Sequence, residues 1–240
     1  MSLYSGFDSE GLSESREDLI QSLRNEGLLK SRGIEDAIRA IPRDQFLWPG
    51  TPPFLAYADE PQALGDTGQT ISAPHMVVIM LEALKISPGL KILEVGCGSG
   101  YEAALLGWIV SRGIRHETPL VVSVERDEKL VEFARKNIAA VGLSKEVTVV
   151  AGDGTMGYPQ ESEEEIYDRI IVAAGARRVP AFLKKQLKVG GVLLVPVGGL
   201  AYQKLLKIRK RRSADGSILF DEKGLVDCMF VPLIGQDQLS

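Results

Sequence analysis

Two stretches of this sequence combine residue types and spacing that could do chemistry. The first is Glu94-Val95-Gly96-Cys97-Gly98-Ser99-Gly100, with three alternate glycines and a carboxylate two residues ahead of the first. Glycine allows left-handed backbone and lets a ligand approach the main chain closely. A turn of this kind between a strand and a helix offers the free N–H groups of the helix's first turn. A dinucleotide fingerprint reads Gly-x-Gly-x-x-Gly and seats a pyrophosphate on those groups. Here the third glycine comes one residue early, and Glu94 would repel a pyrophosphate. A ligand carrying an ammonium group suits Glu94 better, which disfavours a nicotinamide oxidoreductase. The second stretch is Gly68-Gln69-Thr70-Ile71-Ser72-Ala73-Pro74-His75-Met76. Proline suits a first helical turn, so a helix is expected from Pro74. Ser72 then reads either as a cap for that helix or as a hydroxyl that meets a substrate. His75 reads as a structural residue at the helix start.

Two further acids stand where strands end. Glu125 closes the second sheet strand and is placed to accept hydrogen bonds from ribose hydroxyls. Asp153, between Gly152 and Gly154, could meet an adenine amino group or could form an Asx turn. With only two histidines, His75 and His116, a Ser-His-Asp hydrolase and a His/Cys zinc site are not expected, and no metal ligands are assigned. Two distant cysteines, Cys97 and Cys228, and no basic-then-apolar leader point to a reducing, cytoplasmic setting. No apolar run is long enough to span a bilayer. The formal net charge of −4 argues against a polyanion partner. The basic cluster Lys207, Arg209, Lys210, Arg211 and Arg212 reads as a solvated strand end, and Glu161 to Glu165 as a solvated loop.

The elements that position these residues follow from periodicity. Residues 1–12 are polar and expected to be mobile. Ser15 could cap a helix through Leu19, Ile20 and Leu23. Ile34, Ala37, Ile38 and Ile41 make a one-faced helix ended by Pro42. Residues 46–53 hold Trp48, Pro49, Gly50, Pro52 and Pro53 and read as loop. Trp48 and Tyr57 could line a peptide groove or pack the cap. From Pro74 onward helix and strand alternate. Strands are expected at 91–95, 120–124, 147–150, 167–173 and 191–197, with helices at 101–110, 130–141 and 180–187. Two strands at 204–208 and 225–233 close the pattern. Alternation of this kind builds a mostly parallel sheet with helices on both faces, here with an antiparallel edge. The expected division is a helical cap with its connection over 1–70 and an α/β core over 71–240.

The glycine-rich turn, Glu125 and Gly152-Asp153-Gly154 together resemble the Rossmann-like methyltransferases that use S-adenosyl-L-methionine. That likeness covers about 91–197. Amino-methylating nucleic-acid enzymes usually carry an Asn/Asp-Pro-Pro-Tyr type motif after the fourth strand. Here that strand runs into Val172-Ala173-Ala174-Gly175-Ala176. Neither cysteine follows a proline, so a cytosine-carbon nucleophile is missing too. Thr70-Ile71-Ser72-Ala73-Pro74-His75-Met76 closely resembles the protein-L-isoaspartate (D-aspartate) O-methyltransferase family. Gly152-Asp153-Gly154-x-x-Gly157-Tyr158 agrees, as do Gln186-Leu187-Lys188-x-Gly190-Gly191, Leu194-Val195-Pro196-Val197-Gly198 and Phe230-Val231-Pro232-Leu233. The likeness runs from about Leu19 to Leu233.

The resemblance implies transfer of a methyl group from S-adenosyl-L-methionine to the free carboxyl of L-isoaspartyl and D-aspartyl residues in damaged proteins, leaving S-adenosyl-L-homocysteine. It implies Ser72 as the active-site serine. It implies cofactor contacts from Thr70, Ile71, Ala73, Ser99, Glu125, Arg126, Asp153 and Gly154, beside the turn residues Glu94, Gly96, Gly98 and Gly100. Some relatives carry a cofactor-contacting histidine where this chain has Val77. The resemblance also implies a cytosolic enzyme, and we expect a monomer with no nucleic-acid or membrane partner. An acceptor carboxylate is already ionised at neutral pH, so it needs an orienting donor rather than a base. The alternatives are a small-molecule or RNA methyltransferase, and a module that binds the cofactor without turnover.

Overall fold

The computed structural model of the chain describes residues 9–238. Helices α1 (Ser9–Asn25) and α2 (Arg32–Ala40) come first. Two 3-10 turns (Arg43–Phe46 and Pro53–Tyr57) lead into a small ribbon of β1 (Gln62–Ala63) and β2 (Thr70–Ile71). Then follow α3 (Pro74–Leu84), β3 (Ile92–Val95), α4 (Tyr101–Ser111), β4 (Val121–Glu125), α5 (Glu128–Ala140) and β5 (Val147–Ala151). After them come β6 (Tyr167–Val172), α6 (Ala181–Gln186), β7 (Leu187–Gly198) and the hairpin β8 (Gln203–Arg212) and β9 (Ile218–Cys228).

Seven strands make one sheet in the order β5-β4-β3-β6-β7-β8-β9. β3 pairs in parallel with β4 and with β6, while β8 and β9 are antiparallel. This is the doubly wound, mostly parallel sheet with an antiparallel edge that the alternation predicts. Strand order reverses at β3, so the C-terminal ends of β3 and β6 open onto a crevice where such sheets take ligands. Every residue of β3 is buried, Glu94 among them. α2 turns Ile34, Ala37 and Ile38 inward, as its spacing demands. Those residues share one continuous apolar core with α1, α3, α4 and α5. No helix among the described residues is long and apolar enough to cross a membrane.

Four expectations need correction. Ser15 does not cap α1. The helix already runs through Ser9, the first described residue, and the Ser15 hydroxyl donates to the Gly11 carbonyl one turn earlier at 2.9 Å. Serine can bond back within a helix as readily as it can start one. Residues 9–12 are therefore helical, and 1–8 lie outside the described residues. The last strand is Ile218–Cys228, not 225–233. Residues 230–233 leave the hairpin and recross the sheet's C-terminal edge. There the Gly175 N–H donates to Val231 and the Leu233 N–H to Gly175, both at 2.8 Å. Pro232 has no N–H to continue a ladder. Buried Gln203 holds this crossing, accepting the Phe230 N–H at 2.9 Å and donating to the Phe230 carbonyl at 3.0 Å.

The basic cluster does occupy the end of β8, with Arg209, Arg211 and Arg212 exposed, but Lys210 is not solvated. Strand alternation turns Lys210 inward between exposed Arg209 and Arg211. Lys210 is buried 3.0 Å from Glu165 and donates to the carbonyls of Lys184 and Lys185. Lys207 donates to the Ala83 carbonyl of α3 at 2.6 Å.

Candidate active site

Both chemistry-bearing stretches meet in one cleft of about 590 Å³ over the C-terminal ends of β3 and β4. Gln69 to Ala73 form one wall, and Glu94 to Ser99 form the floor. Gly152 and Gly154 stand at the far end, and 229–234 of the recrossing segment form the rim. The floor is a turn that only glycine makes cheaply. Gly96, Gly98 and Gly100 have φ of 92°, 55° and 85°, in the left-handed region where a side chain is strained. Gly154 is required for a different reason. A Cβ there would sit 2.4 Å from Val95 Cγ1, so close packing on β3 excludes it. Gly154→Ala is expected to cost about 1–3 kcal/mol of stability, read by urea unfolding. An unchanged midpoint would show that Val95 can yield.

The acids are held in distinct ways. Glu125 is buried and accepts N–H bonds from Gly98 (3.0 Å), Arg126 (2.8 Å) and Asp127 (3.0 Å). It pins the glycine turn and keeps lone pairs for a ligand hydroxyl. Glu94 is fully buried. Its Oε2 accepts the Ser123 hydroxyl, and its Oε1 has no partner among the described residues. Burial, then the nearby Glu102, hold the Glu94 carboxyl well above the usual carboxylate range. Asp153 forms the Asx turn. Its Oδ1 accepts the N–H and hydroxyl of Thr155 at 2.9 and 2.7 Å, and its Oδ2 accepts the Gln236 N–H at 2.7 Å. Its neighbours Gly152 and Gly154 line the cleft, whereas Asp153 ties down the C-terminal segment.

The cap of α3 is not Ser72. Ala73 occupies the N-cap position and no side chain caps from there. Asp59 does so from the preceding loop, accepting the His75 N–H at 2.8 Å and facing His75 Nδ1 at 3.0 Å. His75 is thus a structural partner at the helix start, as its position suggests. Ser72 is half-buried on the cleft wall, and its carbonyl accepts from Arg43 Nη2 at 2.8 Å.

A sequence profile of protein-L-isoaspartate (D-aspartate) O-methyltransferases matches residues 14–238. This chain belongs to that family. It is 45% identical over 221 residues to the protein-L-isoaspartate O-methyltransferase of Staphylothermus marinus, covering 92% of this chain and 94% of the relative. It is 44% identical to that of Pyrococcus horikoshii, covering 95% and 97%. A solved protein-L-isoaspartate O-methyltransferase superposes with a TM-score of 0.77 at 32% identity, over 93% of this chain and 67% of that one. A Plasmodium falciparum structure of the same description, in complex with S-adenosyl-L-homocysteine, superposes with a TM-score of 0.76 over 91% of this chain and 98% of that one. At 24% identity it bears on the fold alone.

Against that family background, the structure brings together most of the expected residues. Thr70, Ile71, Ser72 and Ala73 share the cleft with Glu94, Gly96, Gly98, Ser99, Glu125, Arg126 and Gly154. Gly100 lies just behind them as the N-cap of α4. Val77 stands on the same wall and is nearly fully buried. Cys97 packs in the core, and burial followed by the neighbouring Glu94 pushes its thiol well up. Trp48 and Tyr57 take no part in the cleft. Trp48 packs on Phe133 at 4.9 Å, and the Tyr57 hydroxyl donates to Asp44 at 2.6 Å.

Sequence reasoning missed two residues at the site. Glu102 lines the cleft from the first turn of α4. Arg43 is fully buried beneath Ser72, with its guanidinium 5.1 Å from the Tyr101 ring and no partner for Nε or Nη1 among the described residues. An arginine after Ile41-Pro42 carries no local sign of either contact.

Proposed function

We propose that this cleft is the methyl-transfer site, with Ser72 orienting the acceptor carboxylate. In this reading Glu94, Gly96, Gly98, Ser99, Glu125, Arg126 and Gly154 hold the cofactor, Gly100 supports the turn from behind, Asp153 adds its remaining lone pair from between Gly152 and Gly154, and Thr70, Ile71 and Ala73 complete the shared wall. The residues fit S-adenosyl-L-methionine on a specific point. Glu94 Oε1 is buried without a partner among the described residues, and the amino-acid end of the cofactor carries an ammonium group. When bound, the cofactor supplies an activated methyl group on a sulfonium. The chain works as a carboxyl methyltransferase of isoaspartyl residues.

The carrying observation is that Thr70 to Ala73, with His75 and Met76, face the glycine turn across one cleft. The remaining work of the protein is positioning and exclusion of water, because the acceptor is ionised without help at neutral pH. A hydroxyl can hold a carboxylate oxygen without protonating it. The backbone of Ser72 is itself fixed by Arg43. The rim supports a flexible protein segment as acceptor, since Leu200 and Met229 are 77% and 76% exposed at the cleft mouth. Residues 1–70 act as a cap on the acceptor side and 71–240 as the cofactor-binding core. The working form is a cytoplasmic monomer whose partners are damaged proteins and peptides. The net charge of −4 supports the lack of a nucleic-acid partner.

The test pairs two peptides that differ only in isoaspartate against aspartate. The isoaspartyl peptide should accept labelled methyl, and the label should leave as methanol in mild base. Equal labelling of both peptides, or of neither, would sink the reading. Asp153→Ala should weaken cofactor binding about tenfold, the scale of one hydrogen bond to a charged group. An unaltered dissociation constant would leave Asp153 only its bonds to Thr155 and Gln236.

A further inference from the structure

Three carboxyl groups stand on the cleft floor, and they are satisfied very differently. Glu125 accepts three backbone N–H groups. Glu94 and Glu102 each keep a buried oxygen, Oε1 in both cases, with no partner among the described residues. Both line the same cleft. The two come from different elements. β3 buries Glu94 at its third position, and the glycine turn brings Glu102 in from the first turn of α4.

Among the described residues the surroundings offer this pair no counter-charge. β4 contributes the Ser123 hydroxyl, which donates to Glu94, and the Glu125 carboxylate, which repels it. The glycine turn contributes Cys97, whose thiol burial keeps neutral. α4 contributes Tyr101 beside Glu102, and burial pushes its hydroxyl up to about 12. Arg126 is the one lysine or arginine among the described cleft-lining residues. It is not among the groups acting on Glu94 or Glu102. Two ionised carboxyls that line one cleft, each with a buried oxygen, are strongly disfavoured without a cation. Burial and mutual repulsion accordingly raise Glu94, and burial raises Glu102.

We infer that Glu94 and Glu102 together form a cation subsite that holds a proton in the free chain and releases it when a ligand's ammonium group enters. This rests on the cofactor reading above, which already includes the Glu94 contact. It adds Glu102 and the proton. In balance, a carboxyl O–H bond breaks and the proton passes to solvent. The ammonium keeps its charge and donates to the freed oxygens. Charge entering as the ligand is offset by charge leaving as the proton, so the buried floor avoids both a naked anion pair and a trapped excess cation.

The sign of the pH effect follows. The bound cation favours the ionised pair, so binding should tighten as pH rises. The slope is about one decade in dissociation constant per pH unit for each proton released. The pair titrates as a unit, so the proton belongs to neither residue alone.

The test is titration calorimetry of the intact chain with S-adenosyl-L-homocysteine, whose ammonium is its only cation. It is run between about pH 6 and pH 8 in two buffers of different ionisation enthalpy. The native chain should release roughly one proton, with affinity rising over this range. Glu102→Gln, which keeps the side-chain shape, should release less and show a flatter profile. His75 on the cleft wall is present in both proteins, so the difference belongs to the pair. Binding by the native chain with no proton exchanged and no pH dependence would overturn the inference. Equal release by Glu102→Gln would do the same. Failure of the native chain to bind at any pH would instead remove the cofactor reading beneath it.

Discussion

Replacing Ser72 with alanine is expected to lower turnover on an isoaspartyl peptide by about 10²- to 10³-fold, the range for losing one preorganised donor at a reacting oxygen. Cofactor affinity should stay within about twofold, because the hydroxyl is assigned to the acceptor rather than to the cofactor. The structure makes this a clean experiment. A serine two residues before a helix-starting proline would ordinarily be suspected of capping, and losing a cap costs about 1 kcal/mol. In this chain Asp59 binds the His75 N–H, and no side chain caps α3 from the N-cap position. Ser72→Ala should therefore shift stability by less than about 0.5 kcal/mol, as an unremarkable surface change does. Asp59→Ala should show the opposite pattern, with the stability loss of a missing cap. Labelled methyl transfer, calorimetry and urea unfolding on both variants separate the two roles. Normal turnover by Ser72→Ala would return the acceptor contact to the backbone groups of the cleft wall.

Much of this was legible because it is local. The change of period along 91–197 encodes the sheet, and three alternate glycines encode a left-handed turn that other residues resist. The exit of 230–233 was less so. Phe230-Val231-Pro232-Leu233 looks like a strand, and only its binding by Gly175 and Gln203 shows that it leaves the ladder. Lys210 is a similar case. A run of basic residues suggests solvent, but strand alternation sends Lys210 inward between exposed neighbours, and Glu165 is there to receive it. The two readings of Ser72 could not be separated from spacing either, since the residue that settles its capping role is Asp59 in an irregular loop. Asp153 kept its two readings for the same reason. Its tie to Gln236 joins distant parts of the chain, and no periodicity records such a contact.

Arg43 is where this matters most for function, and Arg43→Met is expected to separate activity from stability. Its guanidinium is fully buried, makes no ion pair among the described residues although Asp59 acts on it at longer range, and stays charged despite burial that lowers its proton affinity. Its compensation is the Ser72 carbonyl at 2.8 Å and the Tyr101 face at 5.1 Å. Exchanging a buried, poorly paired charge for an apolar side chain of similar length is often neutral or stabilising. Stability should therefore hold or rise. Turnover should fall about 10- to 100-fold, because a hydrogen bond from a charged donor is worth roughly 1.5–3 kcal/mol and here fixes the residue that orients the acceptor. Arg43→Lys keeps a charge without the planar fork and should recover part of the loss. If Arg43 only filled space, methionine would be as active as the native chain. If it only held the cap together, turnover and stability would fall in step. A protein that is at least as stable but slower, partly rescued by lysine, is the result expected of a residue kept for the placement of Ser72.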